Sequence, residues 1–447
     1  MTEPRSSTES REVVDGGSDR RSGSHQNRFH RLATSLVNMT VLASLFVVVL
    51  AAALPLRGVA EPLIADHRAV NFCTNLTAAD IARVTRLWIS YAGESHSLGV
   101  RTGCLLLTNV DSRFQVAVQD AGTPEAATTN HLRVSRATWG DVRHTTGWQY
   151  GYGEEDWYTS ASAIAQTKLG LYYCAANGPH LDVLAFGWCW DMKWHNGVGG
   201  GTNVTYGTRW AGSSADGPDG DLRWGLTSAD DSLTGNRICM DTYLDATEQY
   251  RIHSRTSGCA TAVIFTTGPV DGLSGDEESY QLQVKNQSIR DYASNTADGI
   301  LFDYADILCW DNAGVQNTRT WMNYNSMQKT FPAIAADNML DMNGGYVEDG
   351  DHIGQRGALR LAKALWWMLA AITEPPPTLD ITQSGNSFVI RFIGVPGKAY
   401  PIQYSDDLDD AGWIPLGAVS ASESGVCQFA ITPPPGVMRR FYRAVYH

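Results

Sequence analysis

From Ile81 onward, short apolar runs alternate with stretches of helical spacing. LWISYA (Leu87 to Ala92) leads into a helical pattern from Ser95 to Asn109, FQVAVQDA (Phe114 to Ala121) reads as a second strand, and LDVLAFGW (Leu181 to Trp188) as a third. Met240 to Gly258 has helical spacing ahead of the strand CATAVIFTTG, and Tyr280 to Ala297 has it ahead of the last strand, GILFDYADI. A final helix, Ile353 to Thr373, closes the series. Strands that are apolar on both faces and alternate with helices predict an α/β fold, a doubly wound parallel sheet covered on both sides.

The period changes after TEPPPT (Thr373 to Thr378), which reads as a stiff linker. Residues 379–447 hold alternating strands (SFVIRF, YPIQYS, CQFAI, RRFYRAVY) between Gly, Pro and Asp turns, which predicts a small C-terminal β-sandwich. Upstream, Thr128 to Asp231 is irregular, Gly-rich and aromatic, and carries eight of the 14 Trp residues. One strand interrupts it, so it reads as functional loop, its rings either stacking on sugar faces or packing the loops on the sheet.

The start of the chain is of another kind. Residues 1–31 are polar and poor in apolar groups, which predicts disorder. Leu32 to Leu56 carries no charge, contains VLASLFVVVLAAAL and follows Arg28 and Arg31, so residues 32–60 read as a signal peptide or a membrane anchor. Either way the bulk of the chain, including a catalytic-size domain over 82–373, is exported, and the only expected membrane contact is through 32–56 if that segment is not cleaved.

The formal charge is −13. Residues 1–60 hold seven Arg and five acidic residues, so their removal leaves −15, a balance that disfavours phosphate-rich partners and argues against nucleic acid. Eight cysteines in an exported chain permit disulfides, with Cys427 alone in the C-terminal region. No CxxC pair or Cys/His spacing suggests zinc, and no cofactor motif is seen.

Ligands of parallel sheets bind at the carboxyl edge of the strands, and there the first strand breaks into Gly93-Glu94-Ser95. A serine at that place suits a nucleophile, or else an N-cap for the next helix. A hydroxyl needs a base, and the base needs an orienting acid. VEDGDHIGQRGALRLAKALWW supplies both, Asp349 and His352 in D-x-x-H spacing on a loop that opens the last helix. His96 and Ser97 flank the serine and read as first-turn helix residues. Asp303 and Asp306 in FDYAD either face a substrate or cap the strand end. Asp216, Asp219 and Asp221 miss the spacing of a calcium loop, and Asp191 with His195 makes one pair only, short of a metal site.

The order strand-GES-helix, a central strand ending at Gly187, and D-x-x-H before an amphipathic helix resembles the SGNH, or GDSL-type, hydrolase superfamily. The resemblance covers roughly residues 82 to 372 and implies a flavodoxin-like fold and a serine esterase. It matches Gly93-Glu94-Ser95 to G-D-S, making Ser95 the nucleophile and first oxyanion donor, and matches Asp349 and His352 to the remaining catalytic pair. For the second oxyanion donor it leaves Gly122 and Gly140, of which Gly140 is preferred. The third donor expected is an Asn two residues after the Gly of the central strand. This chain has Gly187-Trp188-Cys189-Trp190-Asp191 there, and the thiol of Cys189 is a weak donor. Trp188, Trp190 and Asp191 fall where substrate would bind.

Two functions compete. The first is an exported esterase acting on an acyl ester, on a small molecule or on a polysaccharide. The second is a glycan-binding or surface protein that keeps the fold without turnover, supported by the missing Asn and the Trp-rich loops.

Overall fold

The structure is a computed structural model that describes residues 61–93, 95–120, 126–136, 158–188, 192–193, 197–212, 223–270, 275–345, 353–407, 412–437 and 439–446. The predicted leader lies outside them, and no described helix is long and apolar enough to cross a membrane. The described residues all belong to one compact unit, which begins after Leu45.

A parallel sheet organises the chain. Strands β2 (Trp88–Gly93), β3 (Val116–Gln119), β4 (Leu132–Ser135), β5 (Val183–Gly187) and β6 (Ala262–Val263) pair in the order β3-β4-β2-β5-β6. A second ladder, β1-β8-β7, joins β1 (Leu63–Ala65), β8 (Ile300–Phe302) and β7 (Phe265–Thr266), again all parallel. β6 and β7 are halves of one apolar run, and Ile264 between them donates its N–H to Leu184 O at 3.0 Å. The hydroxyl of Thr266 bonds Phe186 O. Seven strand positions therefore follow one another from β3 at one edge to β1 at the other.

Alternate residues of these strands enter two different cores, which is why their sequences are apolar without a break. Ile89, Tyr91, Val183, Ala185, Ile264 and Phe302 face one core. Trp88, Ala92, Leu184, Phe186, Val263, Phe265 and Leu301 face the other. The first is closed by α1 (His67–Phe72), α2 (Ala78–Val84), α3 (Ser95–Val110) and the last helix, Gln355–Ile372. The second is closed by α4 (Ala161–Asn177), α5 (Met240–Thr256) and α6 (Glu277–Asn295). Asp276 caps α6 by accepting from Ser279 N at 2.8 Å, and Glu277 and Glu278 in its first turn suit the positive end of the helix dipole. The last helix is buried almost all round, against α3, α1 and the sheet, its buried residues including Arg360. A Cβ on Gly103 would fall 1.9 Å from Ala358 O, so a glycine is what allows α3 and the last helix to cross this closely.

The structure departs from the sequence reading in several places. The stretch from Thr128 to Asp231 holds strand β4 and the 17-residue helix α4, not one strand among loops. β4 escapes the apolar pattern because it carries a buried arginine, Arg133, and α4 because its buried face is mostly small, with Ala163, Thr167, Gly170 and Cys174 beside Leu171. GILFDYADI is strand for three residues only, and Asp303 then caps a helix, α7 (Tyr304–Cys309), by accepting from Asp306 N at 3.1 Å. The sheet also begins before Ile81, with β1 as an edge strand beside β8.

The C-terminal region is two three-stranded antiparallel sheets that close on a core of Ile390, Phe392, Tyr400, Ile402, Cys427 and Tyr442. Strands at Asp380–Ser384 and Ile414–Ser420 add to the four read from the sequence. The junction with the last helix is tightly bonded. Trp367 Nε1 donates to Pro396 O at 2.7 Å, while Lys398 Nζ reaches Ala371 O at 3.1 Å and Glu374 Oε2 at 2.9 Å. Tyr400 OH donates to Glu374 Oε1 at 2.6 Å, so the acid in TEPPPT is an anchor buried between the two regions.

Candidate functional site

The carboxyl edge of the sheet is shaped by two glycines. Gly93 ends β2 with φ +114°, a conformation that favours glycine, and pairs in register with Gly187 at the end of β5. A Cβ on Gly93 would lie 2.2 Å from Gly187 O, and one on Gly187 would lie 2.7 Å from Ser97 Cβ. The first turn of α3 thus rests directly on the end of β5.

Ser95 is the first residue of α3, two residues past the end of β2. Its backbone is at the N-terminus of a 16-residue helix, where the first amides have no partner within the helix and the dipole is positive. That is a favourable place for negative charge to develop.

Beneath this turn the polar groups are locked. Ser97 is fully buried; its Oγ donates to Gly93 O at 2.9 Å and accepts from Arg101 at 2.7 Å. Arg101 is itself buried and also reaches Tyr91 O at 3.1 Å and Asp120 at 2.7 Å. Arg136, just past β4, donates to Gly93 O at 3.1 Å. His96 is buried with its ring edge-on to Tyr304, the centroids 6.3 Å apart. Ser97 and His96 are therefore framework of the helix start, as their first-turn reading expects.

Farther along the same edge stand the acids of FDYAD. Asp303 is buried and takes Arg290 through both carboxylate oxygens, at 2.6 and 2.9 Å, together with the hydroxyl of Thr267 at 2.9 Å. Asp306 accepts the backbone N–H of His67 at 3.0 Å, lies 2.5 Å from His67 Nδ1, and accepts from Trp310 Nε1 at 3.1 Å. The Trp310 ring stacks on the imidazole at 3.9 Å. Both acids are thus bonded within the fold, Asp303 as a cap and Asp306 as the partner of a histidine that sequence reasoning passed over.

Of the other residues singled out from the sequence, Trp188 is described and is a core residue. It is 1% exposed, donates Nε1 to Thr266 O at 2.8 Å, and packs on Trp224 and Tyr243. That corrects its reading as a substrate contact, because no ring face is left for a ligand. Trp210 and Trp224 of the same stretch are buried as well. The side chain of Ser95, together with Gly122, Gly140, Cys189, Trp190, Asp191, His195, Asp216, Asp219, Asp221, Asp349 and His352, lies outside what the structure describes.

Seven of the eight cysteines are described, and all seven are free, buried thiols. Burial pushes Cys73 and Cys104 up to about 12, so neither is a thiolate nucleophile at neutral pH.

Arg101, Arg136 and the His67–Asp306 pair are what sequence reasoning missed. The spacing of Ser97 and Arg101, one helical turn apart, was the only local signal for any of them. No protein-family model matches the chain, and no curated protein is significantly similar to it.

Proposed function

We propose that the chain is an exported ester hydrolase of SGNH type, in which Ser95 attacks an acyl ester, His352 takes the serine proton and returns it to the leaving alcohol, and Asp349 orients the imidazole. The observation that carries this reading is the position of Ser95 at the start of α3, two residues past the end of a central strand of a parallel sheet, where Gly93 pairs with Gly187 and the latter packs against Ser97 of the same helical turn. Such a strand-to-helix turn exposes a serine at the edge where α/β sheets take their ligands.

The last helix gives further support. It opens at Gln355, three residues after His352, and Ala358 lies against Gly103 of α3. At 1.5 Å per residue, those contact points are about 4.5 Å from the start of the last helix and about 12 Å from Ser95. The starts of the two helices therefore lie within about 17 Å of each other along the chain path through that crossing.

In this reading, the Ser95 amide N–H and that of Gly140 hold the oxyanion, while Cys189 adds little because a thiol is a weak donor. The ester is carried by a carbohydrate in the fuller proposal. Burial of Trp188, Trp210 and Trp224 removes three of the rings that a purely glycan-binding function would have used.

Initial rates on an aryl acetate and on acetylated polysaccharide test the proposal. Ser95→Ala should abolish turnover, and Cys189→Ser should change it little. Turnover by the unaltered chain that survives Ser95→Ala would reject the nucleophile.

A further inference from the structure

We propose that Asp66, His67 and Asp306 form a binding site for one divalent transition-metal cation of the zinc type. It does not depend on the role given to Ser95.

The three residues leave the carboxyl ends of two neighbouring parallel strands. Asp66 and His67 follow β1, and Asp306 sits in the first turn of α7, which follows β8. One donor atom from each lies within 4.8 Å of the other two. One imidazole and two carboxylates are a mixed N/O set that suits zinc and its neighbours. Donors around a tetrahedral zinc lie about 2.0–2.2 Å from the metal and hence about 3.4 Å from one another, so shifts of about 1 Å would complete the cage.

The groups around the donors are built as metal sites usually are. Asp306 is oriented by Trp310 Nε1 on one oxygen, at 3.1 Å, and by the backbone N–H of His67 on the other, at 3.0 Å. The Trp310 ring fixes the plane of the imidazole by stacking on it at 3.9 Å. Outer partners of this kind set the orientation and basicity of the ligands. The side chains of His67 and Asp306 are 24% and 19% exposed, so the cluster is sheltered and still open to entry.

The cluster has an internal competitor. Arg68 binds Asp66 through its backbone N–H and its guanidinium, while its side chain is 69% exposed. The guanidinium end of the pair is largely in solvent while Asp66 is 14% exposed, so a dication would compete with Arg68 for the carboxylate. The cluster is also separate from the start of α3. β1 stands four strand positions from β2, about 19 Å at the usual spacing, so the cation would be a second centre on the edge and would not touch Ser95.

The test uses the untagged full chain, stripped with a chelator and dialysed, then titrated with zinc chloride alone by calorimetry and assayed for bound metal by atomic emission. One equivalent should bind. His67→Ala and Asp306→Asn should each weaken binding at least a hundredfold, and Trp310→Phe, which keeps the stack and loses the N–H, about tenfold. Arg68→Ala, a change at an exposed side chain that leaves folding intact, should tighten it. The proposal is overturned if the unaltered chain takes up no zinc, or if a folded His67→Ala protein binds as tightly as the parent. It is equally overturned if Arg68→Ala leaves the affinity unchanged.

Discussion

Lys398→Met tests how the C-terminal sheets are held to the α/β region. Lys398 and Glu374 are 4% and 5% exposed at their side chains, and the ammonium also binds Ala371 O near the end of the last helix. Met keeps most of the volume and removes the charge. Breaking a buried pair by deleting one partner costs about 3–5 kcal/mol, because the remaining charge stays buried. Glu374 would still accept from Tyr400 OH at 2.6 Å and from Val395 N at 3.1 Å, which places the cost near the lower end, about 3 kcal/mol. With a urea slope of about 3 kcal/mol/M, the midpoint followed by Trp fluorescence should fall by about 1 M. The double variant Lys398→Met with Glu374→Leu should recover part of the loss, since no uncompensated charge is left. A midpoint shift under about 0.3 M at an unchanged slope, or a double variant no better than the single, would refute the anchoring role.

Two further outcomes follow from the same structure. Gly93→Ala puts a Cβ 2.2 Å from Gly187 O at a residue with φ +114°, so it should cost about 3 kcal/mol in urea unfolding and lower any Ser95-dependent rate; equal stability would show that β2 and β5 do not approach this closely. Cys73 and Cys104 are raised by burial to about 12, so the folded state keeps protons that the unfolded state loses. Their stabilisation is therefore complete below about pH 9 and is lost as pH rises toward 12, each thiol contributing about 1.4 kcal/mol per pH unit in that window; Cys104→Ala should flatten the alkaline limb of a pH–stability curve by that amount, and an unchanged limb would contradict the burial.

The sheet was legible wherever its strands were apolar on both faces, as with LWISYA and LDVLAFGW, because burial on two sides leaves an unbroken run. β4 was hidden by Arg133, a charged residue that is buried in place of an apolar one. FDYADI looked like strand because nothing in its composition shows that the Asp303 side chain will turn and cap a helix. TEPPPT looked like a linker since its prolines are a local signal, whereas the burial of Glu374 depends on Lys398 and Tyr400, which lie more than twenty residues downstream. His67 and Asp306 are 239 residues apart, so only the parallel pairing of β1 with β8 brings them together. At the start of α3 the change from strand to helix between Gly93 and Ser95 was readable. Arg101 beneath it was not, because a buried arginine on a helix looks like any exposed one in sequence.

The central claim is that Ser95 is an activated nucleophile. Incubating the full chain with a fluorophosphonate probe at neutral pH and mapping the adduct by peptide mass spectrometry tests it most directly, since only a serine with a base at hand and a formed oxyanion site reacts readily. One adduct should form, on Ser95, and it should vanish in Ser95→Ala and in His352→Ala. A folded chain that takes up no probe, or that carries it on Ser97 or any other serine, would contradict the account.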